Sequence, residues 1–362
     1  MTPFPRDAYA PLEPYAPDRR PVPVDLSDNT NRWGTHPAAL EAVRTAPVEA
    51  LTRYPSVYAD ALKEAISRRF GVPVESIATG CGSDDVLDST FRAAGEPGDR
   101  IVYASPTFSM VDPLARMNGM VPVPVEWAPG RLPSPEQLLA PDPALVYVCR
   151  PNNPTGEVPP RGWVEALVEA IGPRGPILLL DEAYADFDDG GFLEQAATSK
   201  RMIVVRTLSK SFGLAGLRVG FGVGAPEVIR QVEISRGPYK VNRLAEAAAV
   251  AALDDAQGWI PGVIDEVRSL RSWLAAELTE RGTPPLPSGA NFLLIPVGGT
   301  GAAPPAPGAA ARIVAGLREH GVATRPFTDL VGIHEGVRVS IGPRHELERF
   351  LEAWDHVMGA QR

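Results

Sequence analysis

The stretch LVYVCRPNNPTGEVPPRGWVEALVEAIGPRGPILLLDEAY, residues 145–184, decides the fold. It opens on an apolar run, Leu145–Val148, and closes on a second, Ile177–Leu180, followed at once by Asp181. Between them, residues 161–171 place Val164, Leu167, Val168 and Ile171 at helical spacing. Runs this short and this apolar suit strands buried on both faces. A strand, a helix and a strand in succession imply a parallel pair with the helix packed on the sheet.

The same alternation extends outward. Ile77-Ala78-Thr79, Ile101–Ala104 and Ile203–Val205 are further apolar runs, and helical patterns cover 58–69, 84–94 and 108–118. The expectation is an α/β architecture: a mostly parallel sheet sandwiched by helices. A different character begins near Gly258. A helical pattern over 262–281 is stopped by Gly282, Pro284 and Pro285. Strand-like pieces Phe292–Val297, Val322–Phe327 and Val337–Ile341 follow, with helices expected at 309–320 and 345–358, giving a smaller α+β domain. Residues 298–310, GGTGAAPPAPGAA, read as a flexible surface loop without chemistry. Residues 1–24 read as an extended, proline-rich arm. The expected division is an arm over 1–31 belonging to the small domain, a large domain over 32–257, and the small domain over 258–362.

Composition narrows the function. A chain of 362 residues exceeds what one core usually holds. The formal net charge of -9 leaves no basic excess to neutralise phosphates, which argues against a general nucleic-acid binder. No run reaches the roughly 18 apolar residues of a membrane span, and the N-terminal residues hold seven prolines and no apolar core of a secretion signal. Two cysteines, Cys81 and Cys149, make neither a disulfide framework nor a zinc site, and read as free thiols in a reducing cytoplasm.

Open α/β sheets bind ligands at the carboxyl ends of their strands. Four polar clusters sit there: Gly82-Ser83-Asp84 after Ile77–Thr79, Pro151–Gly156 after Leu145–Val148, Asp181–Tyr184 after Ile177–Leu180, and Arg206–Gly213 with Arg218 after Ile203–Val205. The Gly82-Ser83-Asp84 turn could offer a helix N-terminus to a phosphate or simply be an N-cap. Ser209 and Arg218 bracket Lys210 and could serve the same phosphate. A carboxylate at Asp181, after four buried residues, is costly unless paired.

Arg206-Thr-Leu-Ser-Lys-Ser-Phe-Gly-Leu-Ala-Gly-Leu-Arg218, Pro151-Asn-Asn-Pro-Thr-Gly156 and Asp181-Glu-Ala-Tyr184 resemble the motifs of the fold-type I pyridoxal phosphate (PLP) enzymes. Within these, the chain is similar to the histidinol-phosphate aminotransferase-like branch of the class I/II aminotransferases, over roughly residues 25–358. The resemblance implies a seven-stranded large-domain sheet and a role for each matching residue. Lys210 would bind PLP through its ε-amine and shuttle the substrate α-proton. Asp181 would keep the pyridine nitrogen protonated. Asn153 and Tyr184 would bond the ring oxygen, and Phe108 would stack on the ring. Gly82, Ser83 and Asp84, with Thr207, Ser209 and Arg218, would form the phosphate site. Arg338 would clamp the substrate α-carboxylate, and Arg325 lies where the family has an arginine near the distal substrate group. Tyr54 would reach the phosphate in the other subunit's site, which implies a homodimer with shared sites.

The chain departs from the family at Asn29-Thr30-Asn31-Arg32-Trp33-Gly34-Thr35, where the branch reads Asn-Glu-Asn-Pro-Tyr-Gly-Pro. Asn31, Arg32 and Trp33 are therefore candidate substrate contacts, with Arg32 a possible cation for a distal anion. Arg150 also stands where the family has a small or neutral residue. The implied activity is transfer of an amino group between an amino acid, the glutamate/2-oxoglutarate pair, and a 2-oxo or carbonyl compound. The alternatives are a lyase on the same scaffold, resembling threonine-phosphate decarboxylase, and a non-catalytic PLP-sensing regulatory domain. The Ser83-Asp84-Asp85 helix start favours the aminotransferases over the lyase. A regulatory protein needs an added DNA-binding module, for which 24 proline-rich residues are expected to be too few.

Overall fold

The computed structural model describes residues 4–14, 16, 18, 20–188, 190–297 and 305–359. Among these the chain forms twelve strands in three sheets. They are β1 (Val24–Asp25), β2 (Ile77–Cys81), β3 (Arg100–Ser105), β4 (Val121–Glu126), β5 (Leu145–Cys149), β6 (Ile177–Asp181), β7 (Met202–Thr207), β8 (Val219–Gly224), β9 (Phe292–Pro296), β10 (Val322–Ala323), β11 (Arg325–Leu330) and β12 (His334–Ser340).

The large sheet has seven strands in the order β2-β8-β7-β6-β5-β3-β4. Pairs β3/β4, β3/β5, β5/β6 and β6/β7 are parallel, and β8 runs antiparallel to both β2 and β7. The mostly parallel seven-stranded sheet is as expected. Successive side chains of a strand point to opposite faces, and the core divides accordingly. Val146, Val148, Leu178, Leu180 and Val204 enter one apolar cluster; Leu145, Tyr147, Leu179, Ile203 and Val205 enter another on the opposite face.

Two strands of this sheet escape the sequence reading. β4, VPVPVE, carries Pro122 and Pro124, which suit a sheet edge, and it is one of the two edge strands. β8, VGFGVG, has the low strand propensity of glycine. Its glycines have a packing role. A Cβ on Gly220 would run into the backbone nitrogen of Ser83, and one on Gly222 would lie 2.8 Å from Val86 Cγ1. The helix Ser83–Ala94 thus lies directly on β8, which brings its N-terminus to the end of β2.

The second sheet, order β11-β12-β9, is antiparallel. It packs with helices Trp259–Glu280, Ala309–Glu319 and Arg344–Gly359 around a separate cluster that includes Leu274, Phe292, Leu317, Val337, Phe350 and Trp354. The single strand expected over Val322–Phe327 is two. Val322–Ala323 pairs in parallel with β1, so that residues 24–25 join this part of the molecule, while Arg325 onward pairs with β12. Residues 298–304 of the expected loop lie outside the described residues, and its last residues, from Ala309, begin a helix. Among the described residues no helix is long and apolar enough to cross a membrane.

Candidate active site

A cavity of about 600 Å³ lies beyond the carboxyl ends of β2, β5, β6 and β7, facing β11 and β12. It gathers the four strand-end clusters. Ser83, Asp84, Thr207, Ser209 and Arg218 form one polar group in its lining. Thr207 Oγ1 donates to Ser209 Oγ at 2.9 Å, and Ser209 N donates back to Thr207 Oγ1 at 3.1 Å. Arg218 Nη2 pairs with Asp84 Oδ2 at 3.0 Å, and Nη1 reaches Ser209 Oγ at 3.4 Å. Gly82 does not line the cavity; its φ of +79 strains any other residue, and a Cβ there would also push the Arg218 guanidinium aside.

Asp181 ends β6 and is buried. Its Oδ2 accepts from Tyr147 Oη at 2.7 Å and its Oδ1 from Ala183 N at 3.0 Å. Burial pushes its pKa up to about 6, although both hydrogen bonds favour the charged form. The Lys210 Nζ donates to the backbone oxygen of Asp28 at 3.3 Å and sits 5.6 Å from the centre of the Tyr184 ring. Burial first, then the Arg338 guanidinium, lower its pKa to about 8. Tyr184 accepts from Asn29 Nδ2 at 3.1 Å, and burial raises its hydroxyl to about 12. Phe108 lines the same space.

On the opposite wall, Arg325 and Arg338 stand directly across the β11/β12 ladder. Arg338 is buried. Its Nη1 donates to Asn153 Oδ1 at 2.6 Å and its Nη2 to the backbone oxygen of Ser27 at 2.8 Å. Its guanidinium lies 5.2 Å from each of the Phe292 and Phe327 rings. Arg325 Nη1 lies 4.0 Å from Asp28 Oδ1.

The segment around residue 30 does reach the cavity, but through Asp28, Asn29 and Thr30. Asn31, Arg32 and Trp33 do not line it. Asn31 Nδ2 donates to the backbone oxygen of Ser211. Arg32 makes a two-pronged pair with Glu346, at 2.6 and 2.9 Å, which neutralises the charge expected to serve a substrate. Trp33 packs against the apolar cluster of the smaller sheet. Arg150 also turns away: its Nε donates to the backbone oxygen of Pro159 at 2.7 Å and its Nη1 pairs with Asp188 at 3.5 Å. Tyr54 is 80 % exposed, outside this chain's cavity, and stacks on Tyr239 with ring centres 4.9 Å apart.

Sequence reading missed Asn29, Tyr147, Cys149 and Phe327. Asn29 carried a signal as the first residue of the departing segment; Tyr147 was hidden inside a run read only as apolar, and Cys149, just after that run, was read only as a free thiol.

The aminotransferase class I and II family model matches residues 21–353. The chain belongs to this family. The aminotransferase is 33 % identical to the histidinol-phosphate aminotransferase of Geotalea uraniireducens over 343 residues, 94 % of each chain. It is 35 % identical to histidinol-phosphate aminotransferase 2 of Ralstonia nicotianae, covering 88 % of this chain and 84 % of the relative. Among solved structures it is similar to the histidinol-phosphate aminotransferase of Sinorhizobium meliloti in complex with pyridoxal 5'-phosphate, with a TM-score of 0.86 and 28 % identity over 95 % of this chain and 93 % of the other. A Thermus thermophilus aspartate aminotransferase mutant matches with a TM-score of 0.79 and 28 % identity, over 92 % and 91 % of the two chains. The aminotransferase is thus a PLP-dependent transaminase of fold type I, in the branch of the histidinol-phosphate enzymes. These relatives move amino groups, which decides against the lyase and regulatory readings.

Proposed function

We propose that the aminotransferase passes nitrogen between glutamate and a carbonyl compound with an anionic distal group, related to the substrate of the histidinol-phosphate enzymes. The observation that carries this reading is the pair of arginines, Arg338 and Arg325, in register on one wall of the cavity that holds Lys210. Both guanidiniums line the cavity, where an anionic substrate can meet them.

The lining fits PLP. The N-terminus of helix Ser83–Ala94, two hydroxyls and a guanidinium make a phosphate site, and the glycine at 82 keeps space for Arg218. When bound, the cofactor supplies an electron sink for the substrate Cα. Ser83, Thr207, Ser209 and Arg218 would hold its phosphate, Asp181 would hold a proton on the ring nitrogen, and Asn153 and Tyr184 would donate to the ring oxygen. Phe108 covers the ring. Arg338 orients the substrate carboxylate, which aims the Cα–H at Lys210 Nζ. Lys210, its pKa already lowered to about 8, would take that proton from the substrate Cα and hold it on Nζ.

The test mixes purified holoenzyme with a panel of amino donors and tracks loss of the yellow cofactor absorbance. Glutamate and phosphorylated amines bleach it; equal rates with uncharged donors refute the reading. Arg325→Ala lowers kcat/KM for anionic partners by about 10- to 100-fold, as loss of an ionic hydrogen bond costs roughly 1.5–3 kcal/mol. Arg32→Ala leaves kcat/KM for the same partners within about twofold, because Glu346 already takes that charge.

The active unit is proposed to be a homodimer in the cytoplasm. Tyr54 stacks on Tyr239, and Val48, Leu51, Val57 and Tyr58, all within six residues of Tyr54 in the sequence, are exposed as well, which supports burial against a second copy. Cys81 and Cys149 are free, in keeping with a reducing compartment. Sedimentation at catalytic concentration gives a dimer, and mixed dimers of Tyr54→Phe with Lys210→Ala retain one intact site; a monomer overturns the shared-site arrangement.

A further inference from the structure

We propose that Tyr147 is a positioning residue for the reaction: its hydroxyl fixes the Asp181 carboxylate in the orientation and charge state needed at the pyridine nitrogen. The inference rests on the role proposed above for Asp181. Tyr147 lies in the middle of β5, within an apolar cluster, and is fully buried at 0 % exposure. Nothing in the packing calls for its hydroxyl, since a phenylalanine fills the same volume. A buried tyrosine hydroxyl needs a partner, and here it is Asp181 Oδ2 at 2.7 Å.

Strand register makes this contact a property of the fold. Cys149 of β5 stands opposite Asp181 of β6. Tyr147 precedes Cys149 by two residues, so its side chain shares the face of Cys149 and Asp181, one step back along the strand. A phenol ring is long enough to span that step, and a shorter polar side chain at 147 is not. With Tyr147 on Oδ2 and Ala183 N on Oδ1, both oxygens are anchored and the plane of the carboxylate is set. Asp181 lines the cavity, and each oxygen keeps a lone pair beyond these two bonds.

Charge obeys the same geometry. Burial disfavours the Asp181 anion, and so do the carboxylates of Asp84, at the start of helix Ser83–Ala94, and Glu182, which is itself tied to Arg206 at 2.7 Å. Cys149 and Tyr184 also face this carboxylate, and both are held neutral by their own burial. Against these, the hydroxyl of Tyr147 and the Ala183 N–H stabilise the charged form. Removal of the hydroxyl leaves a fully buried oxygen without that donor and moves the carboxyl toward its protonated state, in which it can no longer hold a proton on the ring nitrogen.

Tyr147→Phe tests this in the holoenzyme, because it deletes one oxygen and keeps the ring. We expect kcat to fall by about 10- to 100-fold, the effect of one lost hydrogen bond to a charged group, with KM for both substrates within about twofold. The acid limb of the kcat profile moves to higher pH by on the order of one unit. The carboxyl-carbon resonance of Asp181, recorded by NMR against pH, moves the same way. In an Asp181→Asn background, Tyr147→Phe costs less than about twofold, since coupled partners are not additive. An unmoved limb and resonance, or an undiminished loss in the Asp181→Asn background, overturns the inference. Near-normal turnover of Asp181→Asn alone instead sinks the role of Asp181; a crippled Asp181→Asn beside an unaffected Tyr147→Phe sinks the inference about Tyr147 alone.

Discussion

Lys210→Ala abolishes transamination, by at least about 10⁴-fold, because one amine carries two duties. In the proposed site Nζ would be both the nucleophile that tethers the cofactor and the base that moves the substrate proton. Both duties need a neutral amine at working pH. Burial and the Arg338 guanidinium bring the pKa of Lys210 down to about 8, so a substantial neutral fraction exists near pH 8, where an ordinary lysine is almost wholly charged. Alanine supplies neither function, and exogenous amines restore only the proton transfer. Borohydride treatment of the native holoenzyme places PLP on the peptide containing Lys210 and leaves the variant unlabelled. Label on Lys63, Lys200 or Lys240 would overturn the assignment; Lys63 and Lys240 are engaged elsewhere by Glu233 and Asp85.

Asp181→Asn keeps the cofactor and loses most of the turnover, roughly 10²–10⁴-fold in kcat. The covalent tether and the phosphate site do not include Asp181, so PLP remains bound and the protein stays yellow. The variant loses a charge aimed at the ring nitrogen, since an amide cannot hold a proton there. In the proposed role the carboxylate would act while ionised. Its pKa is raised to about 6 by burial, so the anion prevails above that value and is lost as pH falls through it. Activity of the native enzyme therefore declines on the acid side, and that limb disappears in Asp181→Asn. Cofactor content from absorbance, read beside kcat over a pH series, separates a bound but inactive enzyme from one that has lost PLP.

Much of the large domain is legible in the sequence. Leu145–Val148, Ile177–Leu180 and Ile203–Val205 announce buried parallel strands because burial on both faces demands continuous apolar side chains. The polar residues just after each run then lie at the sheet's carboxyl edge. That is why Asp181, Asn153, Thr207, Ser209 and Lys210 could be placed in one site before any contact was known. β4 and β8 were not legible, since prolines and glycines obscure a strand whose reasons are edge position and close helix approach.

The tertiary structure alone decided which side of a short segment faces the cavity. Residues 28–34 carry no period long enough to orient them, and their side chains are sorted by partners far along the chain. Glu346 takes Arg32 and the backbone of Ser211 takes Asn31, while the Asn29 backbone is held by Ser340 and Asn291 so that its amide meets Tyr184. Tyr147 obeys the same rule. Its type fits a buried strand, and only the register of β5 against β6 reveals that its hydroxyl meets Asp181. Local sequence sets which elements form and what lies at their ends; which polar atoms meet depends on pairings between residues separated by tens to hundreds of positions, which no local pattern encodes.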